Sequence, residues 1–168
     1  MKCLKKIIKV NGEKDIGALI ISLIISEGIG ILGGLFGGNS SGAYQDIIRP
    51  SFSPPGWIFG VVWPILYLLM GIAAYRVWMV GKQGKDVKKA LTFYGIQLFL
   101  NFIWSILFFR YNLIGLALIE IVILLVFIII TTIMFFRIDK KAGWLMVPYI
   151  LWVSFATVLN YSIYVLNS

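Results

Sequence analysis

The chain has 168 residues, 60% of them hydrophobic and only 13% charged, with a mean hydropathy of +0.94. A water-soluble domain covers itself with about 25% charged residues, so this composition excludes an ordinary soluble globule and requires lipid around the chain. The net charge of +8 would suit nucleic acid, but the basic residues form short clusters between apolar runs, without a basic stripe interleaved with aromatics, which argues against that partner. One cysteine, Cys3, and no histidine exclude an intramolecular disulfide and a Cys/His metal site. Cys3 reads as a bystander thiol more readily than as a lipidation or redox site.

A hydrocarbon core needs about 20 mostly apolar residues per helix, and five segments reach that length: 16–38, 55–80, 90–109, 113–136 and 142–165. Runs such as "IEIVILLVFIII" suit buried strands in water, but at this length and repeated five times they favour helices. The predicted fold is an all-α integral membrane protein, a five-transmembrane-helix bundle over residues 16–166. A basic cytoplasmic tail, 1–15, precedes it, and the connections "RY" and "RIDKK" leave no room for a second domain.

The first segment follows a lysine-rich start, as a signal peptide would, and "SGA" at 41–43 offers small residues for a peptidase. Its length and Glu27 favour an uncleaved helix. In "GIGILGGLFGG", Gly30 and Gly34, Gly33 and Gly37, and Gly34 and Gly38 lie four apart, a spacing that lets helices approach closely in lipid. Packing within the bundle is the simpler explanation; homodimerisation is the sharper one. The proline/aromatic loop 39–54 then leads into "SPPGWIFGVVWPILY". Pro50, Pro54 and Pro55 stiffen that lead-in, Pro55 suits a first helical turn, and Pro64 frees the carbonyl of Gly60. Trp63, Tyr67 and Met70 share one face of the second helix.

In the third segment Gln97, Asn101, Trp104 and Phe108 form a stripe. Leu116, Glu120 and Phe127 are expected on one face of the fourth, and Trp152, Ala156, Leu159 and Asn160 on one face of the fifth. Polar residues at such depth are costly and turn toward the bundle interior, where amides such as Gln97 and Asn160 serve as glue between helices. An aromatic belt at the membrane surface accounts for Trp57, Trp78 and Trp144, but less well for Trp63, Trp104 and Trp152, which sit deeper. No phosphate loop, nucleophile motif or metal spacing appears, so no cofactor or metal is expected. Glu27 and Glu120 stand as isolated acids, suited to a relay or a cation site. Residue chemistry alone thus reaches a five-helix membrane protein whose deeper rings either line a mostly apolar pocket or simply pack between helices.

Several stretches together resemble the translocator protein family, also called the tryptophan-rich sensory protein or peripheral benzodiazepine receptor family (TspO/MBR). They are "YQDIIRPSFSPPGWIFGVVWPILY" (44–67), "QLFLNFIWSILFF" (97–109), "GLALIE" (115–120) and "VPYILWVSFATVLNY" (147–161). The resemblance implies a five-helix bundle, often a homodimer, with a pocket capped by the first loop that binds porphyrins such as protoporphyrin IX or other flat lipophilic ligands. Carried over by motif, that pocket comprises Tyr44 and Pro54, then Trp63; Asn101, Phe102 and Trp104; Leu116 and Ile119; and Trp152, Ala156 and Leu159. The cholesterol motif L/V-x1–5-Y-x1–5-K/R is a weak pattern, and no Lys or Arg follows Tyr161 here, which argues against sterol binding.

Three roles follow from the resemblance and the residues. The first is a receptor, carrier or buffer for tetrapyrroles. The second is an enzyme degrading porphyrin with light and oxygen, for which Trp63 and Trp152 match the positions implicated, although no acid–base or nucleophilic site accompanies them. The third is a transporter of a small lipophilic or cationic solute using Glu27 and Glu120.

Positive charge favours the cytoplasmic side of a membrane. Lys2, Lys5, Lys6, Lys9 and Lys14, then Arg76, Lys82, Lys85, Lys88 and Lys89, then Arg137, Lys140 and Lys141 fall on one side of five crossings. Only Arg49 and Arg110 fall on the other, so thirteen of the fifteen basic residues set the expected orientation in the cell membrane: N-terminus cytoplasmic, C-terminus and loop 39–54 outside. A cysteine at Ser168 should therefore react with an impermeant thiol reagent in intact cells; labelling of Cys3 alone would reverse the orientation.

Overall fold

The computed structural model describes residues 7–37 and 47–168. Within them the chain forms five long helices: α1 (Ile16–Gly37), α2 (Gly56–Lys82), α3 (Lys88–Ser105), α4 (Ile114–Ile138) and α5 (Lys140–Asn167). All five are long and apolar enough to cross a membrane. Lipid offers backbone N–H and C=O groups no partners, so the crossing segments must satisfy them internally, and a helix does so.

The helices close into a ring in the order α1, α2, α5, α4, α3 and back to α1. Side chains such as Met70, Ala73, Ile121, Leu124, Ile128, Met146 and Val153 fill its middle. Isoleucines of α1 and α4, among them Ile20, Ile24, Ile31, Ile123 and Ile129, face outward, as a lipid-facing surface requires. Trp57, Trp78 and Trp144 are exposed, whereas Trp104 is buried and Trp63 and Trp152 half-buried, matching the division between surface belt and interior.

Three local features depart from the expected elements. Pro55 is the residue that introduces α2, one position before its first turn. α3 does not run as an α-helix to 109 but changes into a π-turn over Ile106–Arg110, with the Tyr111 N–H donating to Ile106 O at 3.2 Å. The "RIDKK" connection shrinks to a single residue, Asp139, because its carboxylate accepts from the Ala142 N–H at 2.7 Å and starts α5 immediately.

Asp139 also joins two ends of the fold. It takes a two-pronged ion pair from Arg76 of α2, with Nε to Oδ1 at 3.0 Å and Nη2 to Oδ2 at 2.7 Å. The same guanidinium donates to the backbone oxygens of Ile7 and Lys9. Residues 7–15 are therefore docked and not merely a basic tail. Asn11 and Gly12, both at positive φ, turn the chain tightly, Val10 is buried against Tyr75 and Met79, and Tyr75 Oη donates to Ile8 O. The α2–α3 and α4–α5 connections meet at this end, where Lys85 Nζ donates to Arg137 O. The opposite end carries Arg49 and Arg110, with Asn167 paired to the backbone of Ile48.

Burial works against the ionised Asp139 carboxyl, but the bonds from Arg76 and the Ala142 N–H outweigh it and hold its pKa below the usual carboxylate range. A depressed folded-state pKa means that the unfolded chain binds the proton more tightly. The pair's contribution is thus complete above the unfolded pKa of about 3.9 and is lost as pH falls through the folded value. Asp139→Asn keeps a capping side chain but leaves buried Arg76 without its counter-charge, which should cost about 3 kcal/mol at pH 7. Thermal unfolding in one detergent from pH 7 to pH 3 should show a lower midpoint for the variant at neutral pH and a shallower acid decline than for the parent.

Candidate functional site

Aromatic side chains of α2, α3 and α5 meet in the half of the bundle away from Asp139. Their placement follows from helical spacing: Phe59, Trp63 and Tyr67 recur every four residues on α2, and Phe108 of the π-turn follows Trp104 of α3 by the same interval. Trp63 lies at the centre, with ring centroids 5.8 Å from Tyr67, 6.3 Å from Trp104 and 6.4 Å from Tyr149. Trp104 stacks on Phe108 at 5.1 Å. Trp152 of α5 meets Phe59 edge-on at 5.7 Å and lies 5.6 Å from Phe155, which touches Phe52 of the loop.

Hydrogen bonds fix this cluster. Tyr67 Oη donates to Asn101 Oδ1, and Asn101 Nδ2 donates to Tyr149 Oη at 2.8 Å. Trp104 Nε1 donates to Asn160 Oδ1 at 3.2 Å, while Asn160 Nδ2 reaches the Ile114 carbonyl at 3.1 Å. Asn101 thus joins α2, α3 and α5, and Asn160 joins α3, α4 and α5, which makes both amides glue, since buried polar groups need partners. Gln97 is fully buried, with only a long contact from Nε2 to Met70 Sδ at 3.9 Å, and its Oε1 is unpartnered. Both Glu120 oxygens and Trp152 Nε1 are likewise buried without hydrogen bonds.

A cavity of about 250 Å³ lies beside Trp63, between α1, α2 and the end of α3. Gly30, Gly33, Gly34 and Gly37 form one wall with Ile31, and Glu27, Phe59, Gly60, Trp63, Pro64, Tyr67, Ser105 and Phe109 the rest. A narrow cleft bounded by Trp104, Ala156, Leu159 and Asn160 shares Phe59 and Phe109 with it. The cavity falls below the roughly 300–1,000 Å³ of small-molecule sites, so a large flat ligand requires these rings or α1 to part.

The structure gathers Trp63, Asn101, Trp104, Trp152, Ala156 and Leu159 around this region. Phe102 instead turns toward α1 and meets Phe36 edge-on at 6.1 Å. Leu116 and Ile119 are 51% and 61% exposed on the outer surface of α4, away from the cavity. The buried stripe of α4 runs through Ala117, Ile121, Leu124 and Ile128, with Glu120 at its edge. Leu116, one turn before Glu120, is thus exposed at the outer side of that face, while Glu120 lies at the border of the buried stripe. Pro54 precedes α2, and Tyr44 lies outside the described residues. Sequence reasoning omitted Phe59, Phe109 and Tyr149 from the site; the four-residue spacing of Phe59 from Trp63 was its available signal. Among the described residues no group of three or more acidic, Cys or His side chains could hold a metal ion.

Residues 21–166 match the family model described as the TspO/MBR family. The chain is similar to the "Tryptophan-rich protein TspO" of Chlorobaculum tepidum, 37% identical over 92% of this chain and 99% of that one. It is also similar to the protein of the same name from Archaeoglobus fulgidus, 38% identical over 89% and 97%. The human "Translocator protein" is 34% identical over 72% of each chain.

The glycine wall gives a direct test of how α1 packs. A Cβ at Gly30 would lie 2.5 Å from the Tyr67 ring, whereas one at Gly34 would meet nothing within 4 Å. Gly30→Ala should therefore force α1 from α2 and cost about 1–3 kcal/mol, while Gly34→Ala should leave stability unchanged or slightly raised. Thermal unfolding of the two purified variants separates these outcomes.

Proposed function

Because the chain belongs to the TspO/MBR family and is a multi-pass integral membrane protein, we propose that it binds a flat tetrapyrrole of the protoporphyrin IX kind against Trp63 and its neighbouring rings. Its role would be sensing, carrying or buffering that ligand. The observation supporting this most is the convergence of Trp63, Trp104 and Trp152 from three helices. Their faces and edges complement a broad π-surface, since aromatic rings prefer offset and edge-on contacts. Ala156 leaves room beside Trp104 in the adjoining cleft. Entry requires rings to separate; Trp63 and Trp152 are held by apolar ring contacts, which can repack, while Tyr67, Trp104 and Tyr149 stay tied to the amide network. The first loop, through Phe52 on Phe155, would act as the lid. The clustering of basic residues at the opposite end would place this pocket toward the outer half of the membrane.

The second reading, light-driven porphyrin breakdown, draws on the same rings: the buried Trp152 indole N–H has no partner, so its redox behaviour is not tied to an acceptor. Titration in darkness and under illumination tests both. Offset stacking contributes about 0.5–1.5 kcal/mol beyond area burial, so removing one ring should weaken binding roughly 2- to 13-fold. Trp63→Phe should keep most of the protoporphyrin IX affinity, while Trp63→Ala and Trp152→Ala weaken it. Loss of a light-dependent absorbance change in Trp63→Phe and Trp152→Phe, with binding intact, would support breakdown. Conversion at the parent rate would leave the tryptophans as walls. Alanine variants binding as tightly as the parent would remove the pocket assignment.

A further inference from the structure

The cavity beside Trp63 is lopsided in its polar chemistry. Glu27 enters its wall halfway along α1, at the depth of the hydrocarbon core. An acid at that depth is costly unless paired, yet among the described residues no ion pair or hydrogen bond reaches it. Across the cavity, Pro64 has no N–H, so the carbonyl of Gly60 lacks its helical donor. The two hydroxyls in the wall are already committed: Tyr67 donates to Asn101 Oδ1 and Ser105 to the Asn101 carbonyl. No lysine or arginine lines the space. What remains uncommitted is acceptors and the π-surface of Trp63 and its neighbours. A wall of this kind lacks a donor with positive charge, the complement that carboxylates and indole faces both attract.

We infer that this cavity is a site for a small lipophilic amine, its nitrogen between the Glu27 carboxyl and the Trp63 ring and its apolar body along the glycines of α1. The volume of about 250 Å³ suits an aryl-alkyl amine and excludes a macrocycle without rearrangement. The amine and the carboxyl share one proton in a hydrogen-bonded pair, whichever of them holds it, so no free charge need remain in the hydrocarbon. The inference does not rest on the tetrapyrrole reading, although Trp63 is common to both.

The test uses 4-phenylbutylamine and its neutral counterpart 4-phenyl-1-butanol, titrated calorimetrically into the full chain in nanodiscs, with empty nanodiscs as reference. The amine should bind saturably and at least tenfold tighter than the alcohol. Glu27→Gln should bring the amine down to the alcohol's affinity and leave the alcohol unchanged. Gly34→Leu, at a cavity-wall position where an added Cβ meets nothing within 4 Å, should abolish both. Equal binding of amine and alcohol to the parent, binding no better than to empty nanodiscs, or an amine preference that survives Glu27→Gln would each overturn the inference. If Glu27→Gln fails to fold, an amine preference surviving Gly34→Leu overturns it instead. A protoporphyrin IX titration of the same samples separates the two readings. Amine preference without porphyrin binding removes only the tetrapyrrole reading, and porphyrin binding without amine preference removes only this one.

Discussion

Hydrocarbon cannot hydrogen-bond, and most of this structure follows from that. The backbone answers by coiling into five helices, and each polar side chain inside the bundle must then find a partner on another helix or remain unsatisfied at a cost. Asn101 is the clearest answer, receiving Tyr67 of α2 and donating to Tyr149 of α5. Asn160 does the same between Trp104 and the first turn of α4. Ser22 and Ser26 of α1 donate to the carbonyls of Gly71 and Tyr67 on α2. In lipid, where apolar side chains gain little by leaving their surroundings for one another, such bonds and close packing hold helices in register.

The two ends of the bundle are closed by different chemistry. One is bound by directional contacts: Arg76 with Asp139, its donation to the backbone of residues 7 and 9, and the pair between Lys82 and Asp15. The other half is closed by rings resting on rings, beside a glycine-walled cavity and next to the π-turn that ends α3. Ring contacts constrain distance more than direction, so Trp63 and Trp152 can shift while Asn101 and Asn160 hold the helices behind them. π-turns also occur often at functional sites, and here Phe109 of that turn forms part of the cavity wall.

How much of this was legible beforehand depends on which physical signal each feature carried. Five crossings, the interior placement of Trp104, Gln97, Asn101 and Asn160, and the exposed tryptophans could all be read along the chain, because length, hydropathy and helical period are local properties and polar groups avoid lipid wherever they stand. The motifs likewise sufficed to suggest the family. Leu116 and Ile119 show the limit of motif transfer: their positions in the sequence do not reveal the rotation of α4, which its packing through Ala117 and Ile121 sets.

The sequence by itself determined the solvent, the number of helices and the residues too polar or too aromatic to face lipid, since these depend on composition and spacing within one segment. Tertiary structure alone decided the ring order that places α2 between α1 and α5, the docking of residues 7–15 beneath Arg76, and the meeting of Glu27 with Trp63 across a cavity. Each of these joins residues far apart in the chain. Local spacing fixes which face a side chain occupies, but only the packing of whole helices fixes which faces meet.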